Sequence, residues 1–323
     1  MNPKRGILLV NLGSPEAPSA AAVRRYLREL LMDPRVLDLN FPARWLLVHG
    51  LILPRRPRRV ARHYQRIWTD AGSPLTVISE NTRRRLQEQT RLPVALGMRY
   101  GRPDIFSGLA QLRLSQPPPE EILLVPLYPH YTPATWDSAV DRTREELVRL
   151  GWRARLTVLP PFYRRPDYLA ALTVSIRDHL TVSDHVLFSY HGVPLRHLRH
   201  RWPGDPADYR EQCHFTTGQI ARRLALPPEN YSTTFQSRFG REPWCQPCTA
   251  AELARLADRG VKKLAVVCPS FVSDCLETLD EIGNIGKEIF LARGGQSFQL
   301  IPCLNEHPLW VNALRDWIEN YRE

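Results

Sequence analysis

His191 stands in Phe188-Ser189-Tyr190-His191-Gly192-Val193-Pro194, at the end of a continuous apolar run and just before a glycine. An imidazole at the end of a buried strand can take protons from a substrate. A histidine bonded only to its own turn would do no chemistry. Further along, Asp274, Glu277 and Glu281 follow one another at i, i+3 and i+7, a spacing that predicts three carboxylates on one helix face. Asn284 and Glu288 extend the row, while Leu276, Leu279, Ile282 and Ile289 supply apolar sides. A solvated helix face has the same pattern. What favours chemistry is position, because these acids follow the strand-like run that ends at Cys268-Pro269. That run is expected to finish at the same sheet edge as His191. A base opposite a file of hard oxygen ligands can pass protons one way or a divalent metal the other.

Aromatic and basic residues gather near other strand ends: Tyr64, Arg99-Tyr100, Tyr128, Tyr131 and Trp244. Together they suit a flat, carboxylate-bearing ligand, rings stacking and arginines binding acids; singly, each reads as packing. Gly13-Ser14-Pro15 and Gly72-Ser73-Pro74 offer backbone donors to an anion but match no phosphate-binding glycine motif. Between Phe41 and Val60, Trp45, Leu46, Leu47, Val48, Leu51, Ile52 and Leu53 precede Arg55, Arg56, Arg58 and Arg59. An apolar segment beside arginines describes an interfacial membrane contact, or a buried helix with a basic exit.

The elements that must hold these residues are legible as four apolar runs, Gly6–Gly13, Glu121–Pro129, His185–Gly192 and Lys263–Pro269. Unbroken hydrophobicity marks strands buried on both faces, the habit of parallel sheets. Amphipathic helices are expected between them. Ser19 is read as one N-cap, Thr135 as another with Gly151 as the stop, and Asp205-Pro206 as a third helix start. The fold expected is α/β, two Rossmann-like doubly wound parallel-sheet halves with a central cleft, over residues 1–165 and 166–323. Each half opens with a strand ending in a glycine turn and later has a strand ending in proline.

Composition narrows the class. The 323 residues are 43% hydrophobic and 24% charged, a globular balance, and no apolar run is long enough to span a bilayer. The opening Met1–Arg5 leads straight into a strand-like run, so no secretory leader is expected and a cytoplasmic location is. The formal charge of +11 is carried almost wholly by arginine, as a GC-rich coding bias would produce or an acidic partner require. No zinc-finger spacing, RNP signature or GXXG loop accompanies it, which excludes the common nucleic-acid modules. Six cysteines in a chain this long make no disulfide scaffold.

Seven ordered blocks resemble the ferrochelatase family: Leu9–Pro15, Gly72–Leu75, Met98–Tyr100, Pro126–Pro129, Ser189–Pro194, Phe235–Trp244 and Phe271–Leu279. The resemblance runs from residue 6 to about 312. It implies the type II chelatase fold and insertion of Fe²⁺ into protoporphyrin IX with release of two protons, the last step of haem synthesis. It also implies roles. His191 accepts pyrrole protons or helps bind metal, and Glu277, with Asp274 and Glu281 behind it, resembles an acidic path. Leu12, Tyr64, Ser73, Arg99, Tyr100 and Trp244 match positions around the macrocycle.

Phe41–Val60 resembles a lip at the membrane surface, which would make the protein peripheral to the inner face of the cytoplasmic membrane, with the preceding porphyrinogen oxidase as a possible partner. Leucine at position 12, where some members have Met or Tyr, leans towards protoporphyrin over coproporphyrin III; a non-catalytic tetrapyrrole or haem carrier is the rival of another class. Iron is a substrate and no cofactor is required. Cys245-Gln246-Pro247-Cys248 departs from the family pattern. With Cys213 and Cys303 it could ligate a [2Fe–2S] cluster, or these could be free thiols or bind metal opportunistically.

Overall fold

In a computed structural model of the chain, residues 5–240 and 242–322 are described. The opening Met1–Lys4, part of the segment behind the no-leader expectation, lies outside the described residues. The chain forms two compact units, one of Met1–Leu127, Pro133–Pro160 and Val311–Glu323, the other of Tyr128–Thr132 and Pro161–Trp310.

The first unit holds a parallel sheet of β1 (Arg5–Asn11), β2 (Val94–Met98), β3 (Glu121–Pro126) and β4 (Arg155–Val158), in the order β2-β1-β3-β4. Ile7 to Val10 of β1 and Ile122 to Val125 of β3 are completely buried, as expected for inner strands covered on both faces. The helix Ala20–Leu31 begins at Ser19, whose hydroxyl accepts the Ala22 N–H, and it turns Val23 and Tyr26 inward. Gly13 ends β1 with φ +101°; a Cβ there would lie 1.8 Å from the Tyr100 carbonyl, so only glycine fits. The C-terminal segment is tied to this unit by Arg5, which donates to the carbonyls of Ile318 and Tyr321.

The second unit repeats the topology. Its strands β5 (His185–His191), β6 (Tyr231–Gln236), β7 (Lys263–Val267) and β8 (Ser297–Leu300) run parallel in the order β6-β5-β7-β8. One side of this sheet packs Leu187, Leu264 and Val266 against Leu253, Leu256, Ile282 and Phe290.

Two expected caps are corrected. Thr135 lies inside a π-helical turn, Pro133–Asp137, that leads into the helix Ser138–Arg149. Pro133 takes the first position, where its missing N–H costs nothing, so the helix starts upstream of Thr135. The helix Tyr209–Arg223 starts not at Asp205 but at Asp208, because Glu211 stands three residues on and closes a reciprocal capping box. Asp205 instead accepts the Tyr163 hydroxyl at 2.5 Å and the Ala207 N–H at 3.0 Å.

Candidate functional site

His191 is the last residue of β5 and is held on three sides. Its N–H donates to Ser270 Oγ at 3.0 Å and its carbonyl accepts the Tyr209 hydroxyl at 2.7 Å. Its Nδ1 lies 2.7 Å from the Gly192 carbonyl. A carbonyl only accepts, so Nδ1 carries the proton, and in the neutral ring Nε2 then keeps the lone pair. Gly192 is required for this turn: a Cβ would stand 2.7 Å from the Gln236 carbonyl and 3.3 Å from the Trp244 ring. Trp244 thus packs on the turn that follows His191, half-buried, its indole N–H without a hydrogen-bond partner among the described residues.

Gln236 lies directly across from His191 in the β5–β6 ladder. Its buried side chain accepts a hydrogen bond from the Ser189 hydroxyl on Oε1, and its Nε2 donates to the Glu277 carbonyl at 2.8 Å. Ser237 then donates its N–H (2.7 Å) and its hydroxyl (2.5 Å) to the Glu281 carboxylate. One strand end therefore fastens the π-helix Glu277–Gly286 to the edge that carries His191. Both carboxylates remain half-buried, four residues apart, on a helix of the widened kind that recurs at functional sites.

Asp274 corrects the one-face expectation. It precedes the helix, is 5% exposed, and accepts from Thr278 Oγ1 at 2.9 Å, Asn305 Nδ2 at 2.7 Å and the Cys303 N–H at 3.3 Å. The helix begins after Cys275, so i, i+3 no longer describes neighbours on one face. Asn284 likewise is bonded to buried Asp280, at 3.0 Å. Among the described residues no three His, Cys, Asp or Glu side chains are grouped to hold a metal ion. His191, Glu277 and Glu281 present a base and a short file of acids rather than a closed cage.

In the first unit, Leu12 is half-exposed past the end of β1. Arg99 and Tyr100 are bonded to that strand end through their N–H groups, at 2.8 Å to the Asn11 carbonyl and 2.9 Å to that of Leu12. Their side chains are committed elsewhere. The Arg99 guanidinium pairs with buried Asp33 and donates to Ser138, and the fully buried Tyr100 hydroxyl donates to the same carboxylate at 2.8 Å. Burial pushes the Tyr100 hydroxyl far above its ordinary pKa, so it stays a donor. Asp33 and Ser138, which organise this knot, carry no signal in the sequence beyond a turn-like Asp-Pro. Ser73 donates to Ser14 at 2.7 Å, so the two glycine turns expected to serve an anion are bonded to each other. Tyr64 is buried edge-on to Tyr26 and Trp68.

The cysteines divide. Cys213 and Cys245 influence each other, whereas Cys303 lies with Cys268, Cys275 and Asp274. Burial pushes the thiols of Cys213, Cys245 and Cys303 upward, and Cys248 is half-exposed. Among the described residues no three of the cysteines are grouped to hold a metal ion.

A family model described as Ferrochelatase matches residues 4–322. The chain is 46% identical to a ferrochelatase of Ectopseudomonas mendocina, with 96% of each chain covered. It is 42% identical to one of Photobacterium profundum, covering 100% of this chain and 99% of that one. The chain belongs to the ferrochelatase family. It is accordingly a metal chelatase, and its reaction is the insertion of iron into a porphyrin in haem synthesis. Among solved structures, SirB from Bacillus subtilis with Fe³⁺ superposes with a TM-score of 0.55 at 13% identity, covering 98% of this chain and 94% of that one. CbiX, the terminal enzyme for biosynthesis of siroheme in denitrifying bacteria, gives 0.51 at 14%, covering 99% and 100%. These two likenesses concern the fold alone, the type II chelatase fold of paired parallel sheets.

Proposed function

We propose that this ferrochelatase acts on protoporphyrin IX and that His191 Nε2 is the group that accepts pyrrole protons. Free porphyrin and Fe²⁺ give haem and two protons, so the protein must provide a proton acceptor and an exit. The observation that carries this reading is the His191 ring, whose Nδ1 proton is engaged by the Gly192 carbonyl while Nε2 has no hydrogen-bond partner among the described residues. The acids of the π-helix are anchored to the same strand ends through Gln236 and Ser237. Glu277 and Glu281 then relay protons outward or guide the incoming metal. Asp274, saturated by three donors, supports the helix start.

Leu12, Tyr64, Ser73 and Trp244 are assigned to the macrocycle, and Arg99 and Tyr100 to holding the β1 end on which Leu12 rides. An apolar, non-ligating Leu12 supports protoporphyrin over the more acidic coproporphyrin III. Iron is the substrate and no resident cofactor is needed.

The exposed apolar residues of Phe41–Val60, with arginines beside them, support peripheral docking on an anionic membrane face. Among the described residues no helix is long and apolar enough to cross a membrane. That face is where a preceding porphyrinogen oxidase would hand over its hydrophobic product.

The deciding experiment is an anaerobic assay of Fe²⁺ with protoporphyrin IX and coproporphyrin III, followed over several turnovers. Faster initial rates on protoporphyrin are expected. A strong coproporphyrin preference overturns the substrate choice, and porphyrin bound without metallation points to a carrier.

A further inference from the structure

The backbone around His191 is fixed by a residue that neither the acid row nor the porphyrin set includes. Tyr209 is the first residue of the helix Tyr209–Arg223, and the Asp208/Glu211 box pins that position (Glu211 N–H to Asp208 at 2.9 Å, Asp208 N–H to Glu211 at 2.7 Å). Its phenol is 5% exposed, its ring stands edge-on to His130 at 6.1 Å, and its hydroxyl donates to the His191 carbonyl at 2.7 Å. The other end of that same peptide is also bonded, since the Gly192 N–H donates to the Gln236 carbonyl at 2.8 Å. Ser270 accepts the N–H of His191 itself.

We infer that Tyr209, with Ser270, is a positioning residue for the His191 base. Clamping the His191–Gly192 peptide at both ends fixes where the Gly192 carbonyl sits. That carbonyl in turn holds the Nδ1 proton and leaves Nε2 as the lone-pair nitrogen. A base oriented in advance needs no reorganisation when substrate arrives. Burial keeps the phenol protonated, so the donor is present throughout the working pH range. The inference rests on the reading of Nε2 as proton acceptor, and it adds what sets that nitrogen free.

The test compares Tyr209→Phe and Ser270→Ala with the unaltered protein, using ¹⁵N-histidine labelling and steady-state kinetics. The His191 signal is identified by its loss in His191→Ala. Each variant is expected to lower kcat about tenfold while KM for porphyrin holds. The neutral His191 ring is expected to pass from the Nδ1–H form to a mixture of tautomers. Wild-type kcat and an unchanged tautomer in both variants overturn the inference. So does a loss of activity that only tracks the unfolded fraction. Turnover retained by His191→Ala is a different failure: it removes the base assignment, while the nitrogen spectra still report whether Tyr209 orients the ring.

Discussion

At the carboxyl end of β1, Arg99, Tyr100, Asp33 and Ser138 satisfy one another, and Ser73 is bonded to Ser14. At the carboxyl end of β5, in a sheet of the same strand order, His191 is held by its backbone and Nδ1, and among the described residues its Nε2 has no partner. Half-buried carboxylates are fastened to the same edge. Two equivalent places in one repeated topology thus differ in what their polar groups are for. In the first, charge is neutralised internally and the product is rigidity. In the second, hydrogen bonds orient the His191 ring through its backbone and Nδ1 alone. The fold supplies the location, and the partners of each side chain decide whether chemistry follows.

Paired substitutions should separate the two ends. His191→Ala is expected to lower turnover by about 10²–10⁴, the range of a general base, with an unfolding midpoint close to the original. Asp33→Ala is expected to cost about 3–5 kcal/mol of stability, because it leaves the largely buried Arg99 guanidinium unpaired. Chemical denaturation beside the metal-insertion assay measures both. Equal losses of stability at the two positions would erase the contrast.

Within the second unit the same distinction divides the acids. Glu281 accepts two donors from Ser237, so Glu281→Gln should lose about 1.5–3 kcal/mol as well as activity. Glu277 accepts from Gln236 through its carbonyl, and its carboxylate meets the buried Cys275 thiol, a weak donor, so Glu277→Gln should lower kcat about tenfold and move the midpoint little.

The legible part of this design is the buried part. The four unbroken apolar runs are β1, β3, β5 and β7, the inner strands of both sheets. The edge strands β2, β4, β6 and β8 leave little mark because they are short or half polar, as in Tyr231-Ser232-Thr233-Thr234, with a neighbouring strand on one side only among the described residues. His191 is visible because a histidine interrupts an apolar run beside a glycine. Asp274 is misplaced by its spacing, which assumes a helix already under way, whereas the residue precedes the helix and its carboxylate is taken up by Thr278, Asn305 and Cys303. The roles of Tyr209, Gln236 and Asp33 depend on partners distant in sequence, and no local pattern announces them.

His130 offers a smaller effect with a definite sign. It is fully buried among Tyr163, Tyr190 and Tyr209, with Nε2 bonded to Thr216, and burial lowers its pKa from 6.5 to about 3. Between those values the unfolded chain takes up a proton that the native state refuses. Stability therefore falls as pH drops below 6.5 and levels off only near 3. Near pH 5.5 the loss should be about 1.4 kcal/mol. His130→Gln should flatten the acid limb of a stability–pH curve by about one proton, whatever it does to the plateau. An unchanged slope would mean the histidine does not carry the acid sensitivity of this unit.

The smallest expected change in stability lies at Phe41–Val60, which differs from both strand ends in facing outward. Phe41, Trp45, Leu46 and Leu51 are exposed, while Val48, Ile52 and Leu53 turn inward and hold the segment in place. Leu46, 66% exposed, has little native packing to lose, so Leu46→Ser should move stability by no more than about 0.5 kcal/mol. Burying a leucine in lipid is worth about 1.5–3 kcal/mol, so sedimentation with anionic vesicles should weaken about tenfold or more. Added salt should weaken it further by screening Arg55, Arg56, Arg58 and Arg59. If Leu46→Ser instead lowers the unfolding midpoint and leaves vesicle binding intact, the face belongs to packing. The apolar surface would then need an explanation other than a membrane.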